Sequence, residues 1–169
     1  MSADENLQMI LAQLRESFDA TVAEPIETDD RVYRQYIAIG LGGEIYAWPA
    51  NYIREILIHQ KVIPIPGKVD ALGGVVNYRN QVISIIDLHH LLGLGPAELS
   101  ERNTLLVTRG LKTDFAVLVD GLEAVLSRTN DDIRPKPVSL DEGGKKIVEG
   151  EFYHQGTMTT IINPEMIIG

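Results

Sequence analysis

The apolar residues of this chain change their spacing once, near residue 31. Before that point Leu7, Ile10, Leu11, Leu14 and Phe18 recur on one helical face, and Ser2 with Glu5 has the spacing of a capping box. This spacing predicts an amphipathic helix over residues 1–20. An acidic, proline-containing stretch, Thr21 to Asp30, comes next and reads as a linker. Such a helix can dock on its own domain or serve as an arm that finds a partner. Beyond Arg31 the period becomes two. Tyr33 to Ile39 reads as a strand, Gly40 to Gly43 as a turn and Glu44 to Trp48 as the return strand. Tyr52 to His59 continues in β-branched residues. Val62-Ile63-Pro64-Ile65-Pro66-Gly67 is extended, because a residue before proline is held out of the helical region.

The stretch Gly74 to Leu88 organises the rest. Two Val/Ile runs fold over a polar turn, Asn77 to Gln81, in which Asn80 tolerates a positive φ. Arg79 therefore stands at or beside the tip of a hairpin. The second half repeats the order of the first. Laying Gly74–Gly93 on Gly150–Gly169 brings Ile85-Ile86 onto Ile161-Ile162 and Asp87 onto Asn163. A smaller shift brings Tyr46 onto Phe115, Ile53 onto Leu122, and Ile56-Leu57 onto Val125-Leu126. Ile133-Arg134-Pro135-Lys136-Pro137 echoes Ile63-Pro64-Ile65-Pro66. Several matches in one order argue for an internal duplication. Two sets of short strands predict an all-β chain of two small barrels, since closing a sheet removes its edges.

Charge adds one feature to this picture. Residues 1–30 hold eight acids (Asp4, Glu5, Glu16, Asp19, Glu24, Glu27, Asp29 and Asp30) against Arg15 alone, out of a net charge of -9 for the chain. The part read as barrels is thus nearly neutral. It offers no basic stripe for phosphates, so nucleic acid is not an expected partner. No apolar run is long enough to span a bilayer, and the N-terminus lacks the pattern of an export signal. The chain has no cysteine, which removes disulfides and thiolate chemistry and agrees with a cytoplasmic location.

Catalytic groupings do not assemble. Ser84, Asp87 and His89 are close in sequence, but on a strand Ser84 and Asp87 point to opposite faces. His89-His90 lacks the spacing of a helical metal pair, and His59 and His154 stand apart, so no metal or cofactor is expected. Gly40-Leu41-Gly42-Gly43 lacks the third glycine and the succeeding helix of a dinucleotide site.

The remaining motifs resemble those of the CheW-like coupling proteins of bacterial chemosensory arrays. The resemblance spans about residues 31–169. It is carried by Gly42-Gly43-Glu44-Ile45-Tyr46, Ile53-Arg54-Glu55-Ile56, Gly74-Val75-Val76-Asn77-Tyr78-Arg79, Val82 to Leu88, Val117 to Leu126 and Ile133 to Pro137. It implies two five-stranded SH3-like barrels and no enzymatic activity. It also implies an adaptor that joins chemoreceptor cytoplasmic tips to the regulatory domain of a CheA-type histidine kinase. The expected organisation is a helix and linker over 1–30 and a CheW-like unit over 31–169. Its barrels fall at roughly 31–95 and 96–169, with strand exchange between them left open. This chain has Asn77-Tyr78-Arg79-Asn80 where the family usually has Asn-Leu-Arg-Gly, and Ser84 where a proline is common.

By the same resemblance Arg79 and Glu55 belong to the receptor surface, with Asn77 and Ile53 beside them. Strand alternation puts Ile53 and Glu55 on one face, where Glu55 interrupts an apolar pattern and needs a partner or solvent. Arg79, a planar fork, can supply that partner. Leu41, Leu94, Phe152 and Tyr153, apolar or aromatic residues beside turns, are the candidates for kinase contact. The alternative readings are a ligand-binding or enzymatic domain on a β-barrel scaffold, and a purely structural array component.

Overall fold

A computed structural model describes residues 3–20, 31–67, 71–135 and 147–167; the linker expected at Thr21–Asp30 lies outside them. The apolar stripe of the N-terminal segment forms helix α1 (Ala3–Ala20), with Asp4 and Glu5 in its first turn, where carboxylates favour the helix dipole. The first repeat supplies β1 (Tyr33–Leu41), β2 (Glu44–Pro49), β3 (Ile53–Gln60), β4 (Leu72–Tyr78), β5 (Gln81–Ile86) and the short helix α2 (Leu88–Leu91). A 3-10 turn, Ala50–Tyr52, joins β2 to β3. The second repeat supplies β6 (Asn103–Thr108), β7 (Phe115–Val119), β8 (Gly121–Thr129), β9 (Arg134–Pro135), β10 (Val148–His154) and β11 (Thr157–Ile162). It closes in a 3-10 turn, Pro164–Met166.

Two sheets result. One is six-stranded, in the order β8-β1-β2-β11-β10-β9; the other is five-stranded, β3-β6-β7-β5-β4. The all-β expectation with an N-terminal helix therefore holds, but the sheets do not respect the halves of the chain. The first sheet takes β1 and β2 from the first repeat and β8 to β11 from the second. The second sheet takes β3 to β5 from the first repeat and β6 and β7 from the second. A boundary near residue 95 thus separates neither sheet from the other. The exchange is sealed by two equivalent parallel pairings, Ile85 with Ala116 and Ile161 with Ala47.

The duplication is visible in backbone detail. The register shifts between Leu72 and Gly74 in one hairpin, and between Val148 and Gly150 in the other. At each glycine an extended segment crosses the strand. Val75 exchanges both backbone hydrogen bonds with Ile63, and β9 pairs with β10 at Gly150 and Glu151. A Cβ on Gly74 would fall 2.6 Å from the Ile63 carbonyl oxygen, and one on Gly150 would fall 2.5 Å from that of Arg134.

The core divides into three apolar clusters. Each sheet wraps its own: Tyr36, Ala38, Ala47, Phe152 and Ile161 in the first, and Val76, Ile83, Ile85, Leu105, Val107 and Leu118 in the second. The third lies between the sheets and contains Ile37, Ile39, Trp48, Leu88, Leu106 and Val117. β1, β2, β6 and β7 consequently bury both faces. Ile10 and Leu14 of α1 also belong to the shared cluster, 1% and 5% exposed, so the helix docks on its own chain.

Candidate functional site

The β4–β5 hairpin turns on Arg79 and Asn80, both left-handed, with φ of +49° and +63°. Two such residues in succession match the right-handed twist of the flanking strands. This turn carries the Arg79 guanidinium across the open side of the second sheet, since β4 and β3 are its two edge strands. On β3 it meets Glu55, Nη2 to Oε2, at 3.2 Å. The arginine side chain is 75% exposed and the glutamate 39%. Its guanidinium carbon also lies 5.2 Å from the ring centroid of buried Tyr78. Burial holds the Tyr78 phenol above its ordinary pKa, and the neighbouring Glu55 carboxylate adds to that shift. Beside this pair Arg54 Nε bonds the Asp114 carboxylate at 2.8 Å, and Asn77 is exposed opposite Val82.

Glu55 faces outward because β3 is irregular. Ile53 pairs with Thr108, yet Glu55 pairs with Val107, so the register slips between them. A bulge of this kind reverses the facing of the residues beyond it. Ile53 and Glu55 are therefore not on one face as alternation implies: Ile53 is buried in the shared core, and Glu55 reaches the surface. Ile53 supports the site from beneath and offers a partner no contact area.

The four residues expected at a kinase contact separate. Leu41 is fully buried, because β1 is covered on both faces. Phe152 is 1% exposed, its ring tilted against that of Tyr36 and roofed by Arg128, whose guanidinium lies 4.7 Å from its ring. Neither can be a contact residue. Leu94 is half-buried against the β1–β2 turn. Tyr153 is 55% exposed, and Arg134 lies 5.0 Å over its ring. Position beside a turn does not reveal which way a side chain points; strand phase does. Ser84 marks the outward phase of β5, and Val82 shares it, 71% exposed. Ile63, 55% exposed, crosses the same hairpin. Val82 was legible from that phase; Ile63 was not, because its place is set by the bridge to Val75.

The carboxylates near His89 hold backbone and junction. Asp87 caps α2 by accepting the His90 N–H, and it also accepts the Ala97 N–H. His89 is buried, with Nε2 3.0 Å from Asp120, and Asp120 accepts the Gly42 N–H at 2.7 Å. These bonds tie α2, the β1–β2 turn and the β7–β8 turn together. Ser84 lies exposed away from them. Among the described residues no group of three or more His, Asp or Glu side chains could hold a metal ion. None of the described helices is long and apolar enough to cross a membrane.

A family model described as "CheW-like domain" matches residues 35–169. The chain is 30% identical over 134 residues to a probable chemotaxis protein CheW of Rhizobium etli, covering 79% of this chain and 86% of that one. It is 25% identical over 142 residues to the chemotaxis protein CheW of Treponema pallidum, covering 82% of each. With protein PilI of Pseudomonas aeruginosa it shares 23% identity over 119 residues, 70% of this chain and 67% of that one. In fold it is similar to the scaffolding protein TtCheW of Thermoanaerobacter tengcongensis. The TM-score is 0.70 at 22% identity, over 80% of this chain and 92% of that one.

Proposed function

The chain belongs to the CheW-like domain family, and on that premise we propose that it is a non-enzymatic adaptor joining chemoreceptor cytoplasmic tips to a CheA-type histidine kinase. Its work is structural. By holding receptor and kinase at once, it lets the state of one bias the other between two arrangements, and the coupling free energy is the difference in contact between those arrangements. The output is flagellar chemotaxis or a parallel chemosensory system; relatives named CheW and one named PilI keep both within the family.

The observation that carries this reading is the exposed Arg79–Glu55 pair on a rigid hairpin. A two-residue turn fixes the arginine at its base, and Tyr78 and Glu55 fix its guanidinium. A fork held in this way meets a partner carboxylate or carbonyl with little entropy left to lose. We assign Arg79, Glu55 and Asn77 to receptor contact. The kinase contact falls on outward apolar residues, Val82 on β5, Ile63 on the segment that crosses the β4–β5 hairpin, and Tyr153 on β10, where area can be buried without stranding charge.

Replacing Arg79 with alanine separates folding from binding. An exposed pair of this kind contributes about 0–1 kcal/mol to folding, so the melting temperature should move by no more than a few degrees. The same fork against a partner is worth about 2 kcal/mol or more, so receptor-dependent kinase activation should fall on the order of 30-fold. Both readouts are taken on one Arg79→Ala preparation. Undiminished activation removes Arg79 from the receptor surface, and lost activation with a collapsed melt makes it a structural residue.

A further inference from the structure

Glu55 has a second arginine as its neighbour in the chain. Between Ile53, opposite Thr108, and Glu55, opposite Val107, β3 carries one residue more than β6, and that residue is Arg54. An inserted residue breaks the alternation of its strand. Arg54 and Glu55 are therefore consecutive and both turned outward, with side chains 43% and 39% exposed. An exposed ion pair is weak, so a carboxylate with two guanidinium groups beside it divides its time between them. Arg54 is the stronger competitor, since Arg79 is 75% exposed and more fully screened by water.

Asp114 removes Arg54 from that competition. Its carboxylate accepts the Arg54 Nε–H at 2.8 Å, a shorter contact than the 3.2 Å between Arg79 and Glu55. Asp114 is 25% exposed and stands at the end of the β6–β7 connection, which is fixed at several points. Arg109 donates its N–H to the Tyr52 carbonyl at 2.8 Å and ties the connection to the start of β3. Gly110 packs against the Thr113 carbonyl with no room for a side chain. Thr108 and Phe115 pair across its base. Asp114 also lies near the pair that it serves. Burial raises the Tyr78 phenol, Glu55 adds to the rise, and so does Asp114. Two arginines and two carboxylates thus share one patch, and each carboxylate holds a different arginine.

We infer that Asp114 is a positioning residue for the receptor surface: by engaging Arg54 it reserves Glu55 for Arg79, and so keeps the Arg79 guanidinium in the orientation that a receptor group meets. The inference rests on the receptor reading of Arg79 and names the group that maintains it; Asp114 itself touches no receptor atom. Without its charge, Arg54 turns to Glu55 and Arg79 is released. The dissociation constant then rises by the inverse of the fraction of molecules that keep Arg79 paired, about fourfold if Arg54 holds Glu55 about three-quarters of the time.

The test titrates the full chain against a purified chemoreceptor cytoplasmic fragment by calorimetry. It compares the parent with Asp114→Asn, with the double variant Arg54→Gln/Asp114→Asn, with Arg79→Ala, and with Asp114→Asn added to Arg79→Ala. Asp114→Asn keeps the shape of the side chain and loses its charge, and it should weaken binding about fourfold. The double variant lacks the same ion pair but has no free cation to compete, so its affinity should return to within about twofold of the parent's. In the Arg79→Ala background Asp114→Asn should change nothing further, because its whole effect passes through Arg79. All four should melt within a few degrees of the parent. A double variant as weak as Asp114→Asn would make Asp114 a direct contact or a merely structural residue, and would overturn the inference, as would a collapsed melt of Asp114→Asn. If Arg79→Ala loses affinity while Asp114→Asn binds as the parent does, the positioning role falls and the receptor surface at Arg79 stands. Parental affinity for Arg79→Ala overturns both.

Discussion

Gly74→Ala is expected to lower stability by about 3 kcal/mol or more, a larger loss than a methyl group usually causes. Two costs combine. The Gly74 φ of +136° is a conformation that side chains rarely adopt. The added Cβ would also fall 2.6 Å from the Ile63 carbonyl oxygen and 2.8 Å from Val62 Cγ1. The carbonyl cannot withdraw, because Ile63 and Val75 exchange two backbone hydrogen bonds across this crossing. Overpacking of this kind costs about 1–3 kcal/mol before the dihedral strain is added. For a chain of this size a loss of 3 kcal/mol corresponds to a fall of about 6–12 °C in melting temperature. Gly150→Ala, its counterpart in the other repeat, should behave in the same direction, because its Cβ would meet the Arg134 carbonyl oxygen at 2.5 Å. Thermal unfolding of the two single variants checks the expectation. A parental melt for either would mean that the crossing segment moves aside freely.

The second large effect concerns α1. Ile10→Ala and Leu14→Ala should each destabilise the whole fold by about 2–4 kcal/mol, the usual range for truncating a buried aliphatic side chain. Both side chains sit in the core shared by the sheets, with Leu122 of β8. Deleting residues 1–30 should therefore lower the cooperative melt, although the acidic stretch after the helix reads as a linker. Denaturant titration of the two point variants, with the slope compared to the parent's, separates loss of stability from loss of cooperativity. Parental midpoints would return the helix to the role of a loose arm.

Much of this was legible in the chain. Period-two spacing found the strands, Asn80 found the hairpin turn, and the echo of Gly74 in Gly150 found the duplication. Glu55 as a break in an apolar pattern, with Arg79 as its partner, led to the surface pair. The features that stayed hidden depend on long-range geometry. Alternation fails at Arg54, because the slip between Ile53 and Glu55 is a property of the pairing with β6 and has no mark in the β3 sequence. Leu41 and Phe152 look like turn-side surface residues, yet each lies on a strand whose environment is set by sheets drawn from both repeats. Nothing in the composition of β2 says that its parallel neighbour will be β11 and not a strand of its own repeat. Two similar repeats can satisfy their edges within one copy or across two, and short apolar strands do not distinguish these choices.

The exchanged strands also constrain synthesis on the ribosome. The second sheet has all its strands once β7 ends at Val119, so it can form while the chain is still being made. The first sheet cannot. β1 and β2 emerge early, but their neighbours β8 and β11 come later, and β11 ends only at Ile162. For most of translation the β1–β2 hairpin, with Trp48, Ile37 and Ile39, stands as an unpaired apolar ribbon. Such a ribbon is a template for unwanted pairing. The nascent chain thus depends on finishing quickly or on being shielded until its last strand arrives. A premature stop after Val119 is expected to yield an aggregating fragment with one sheet complete, not a soluble half-protein.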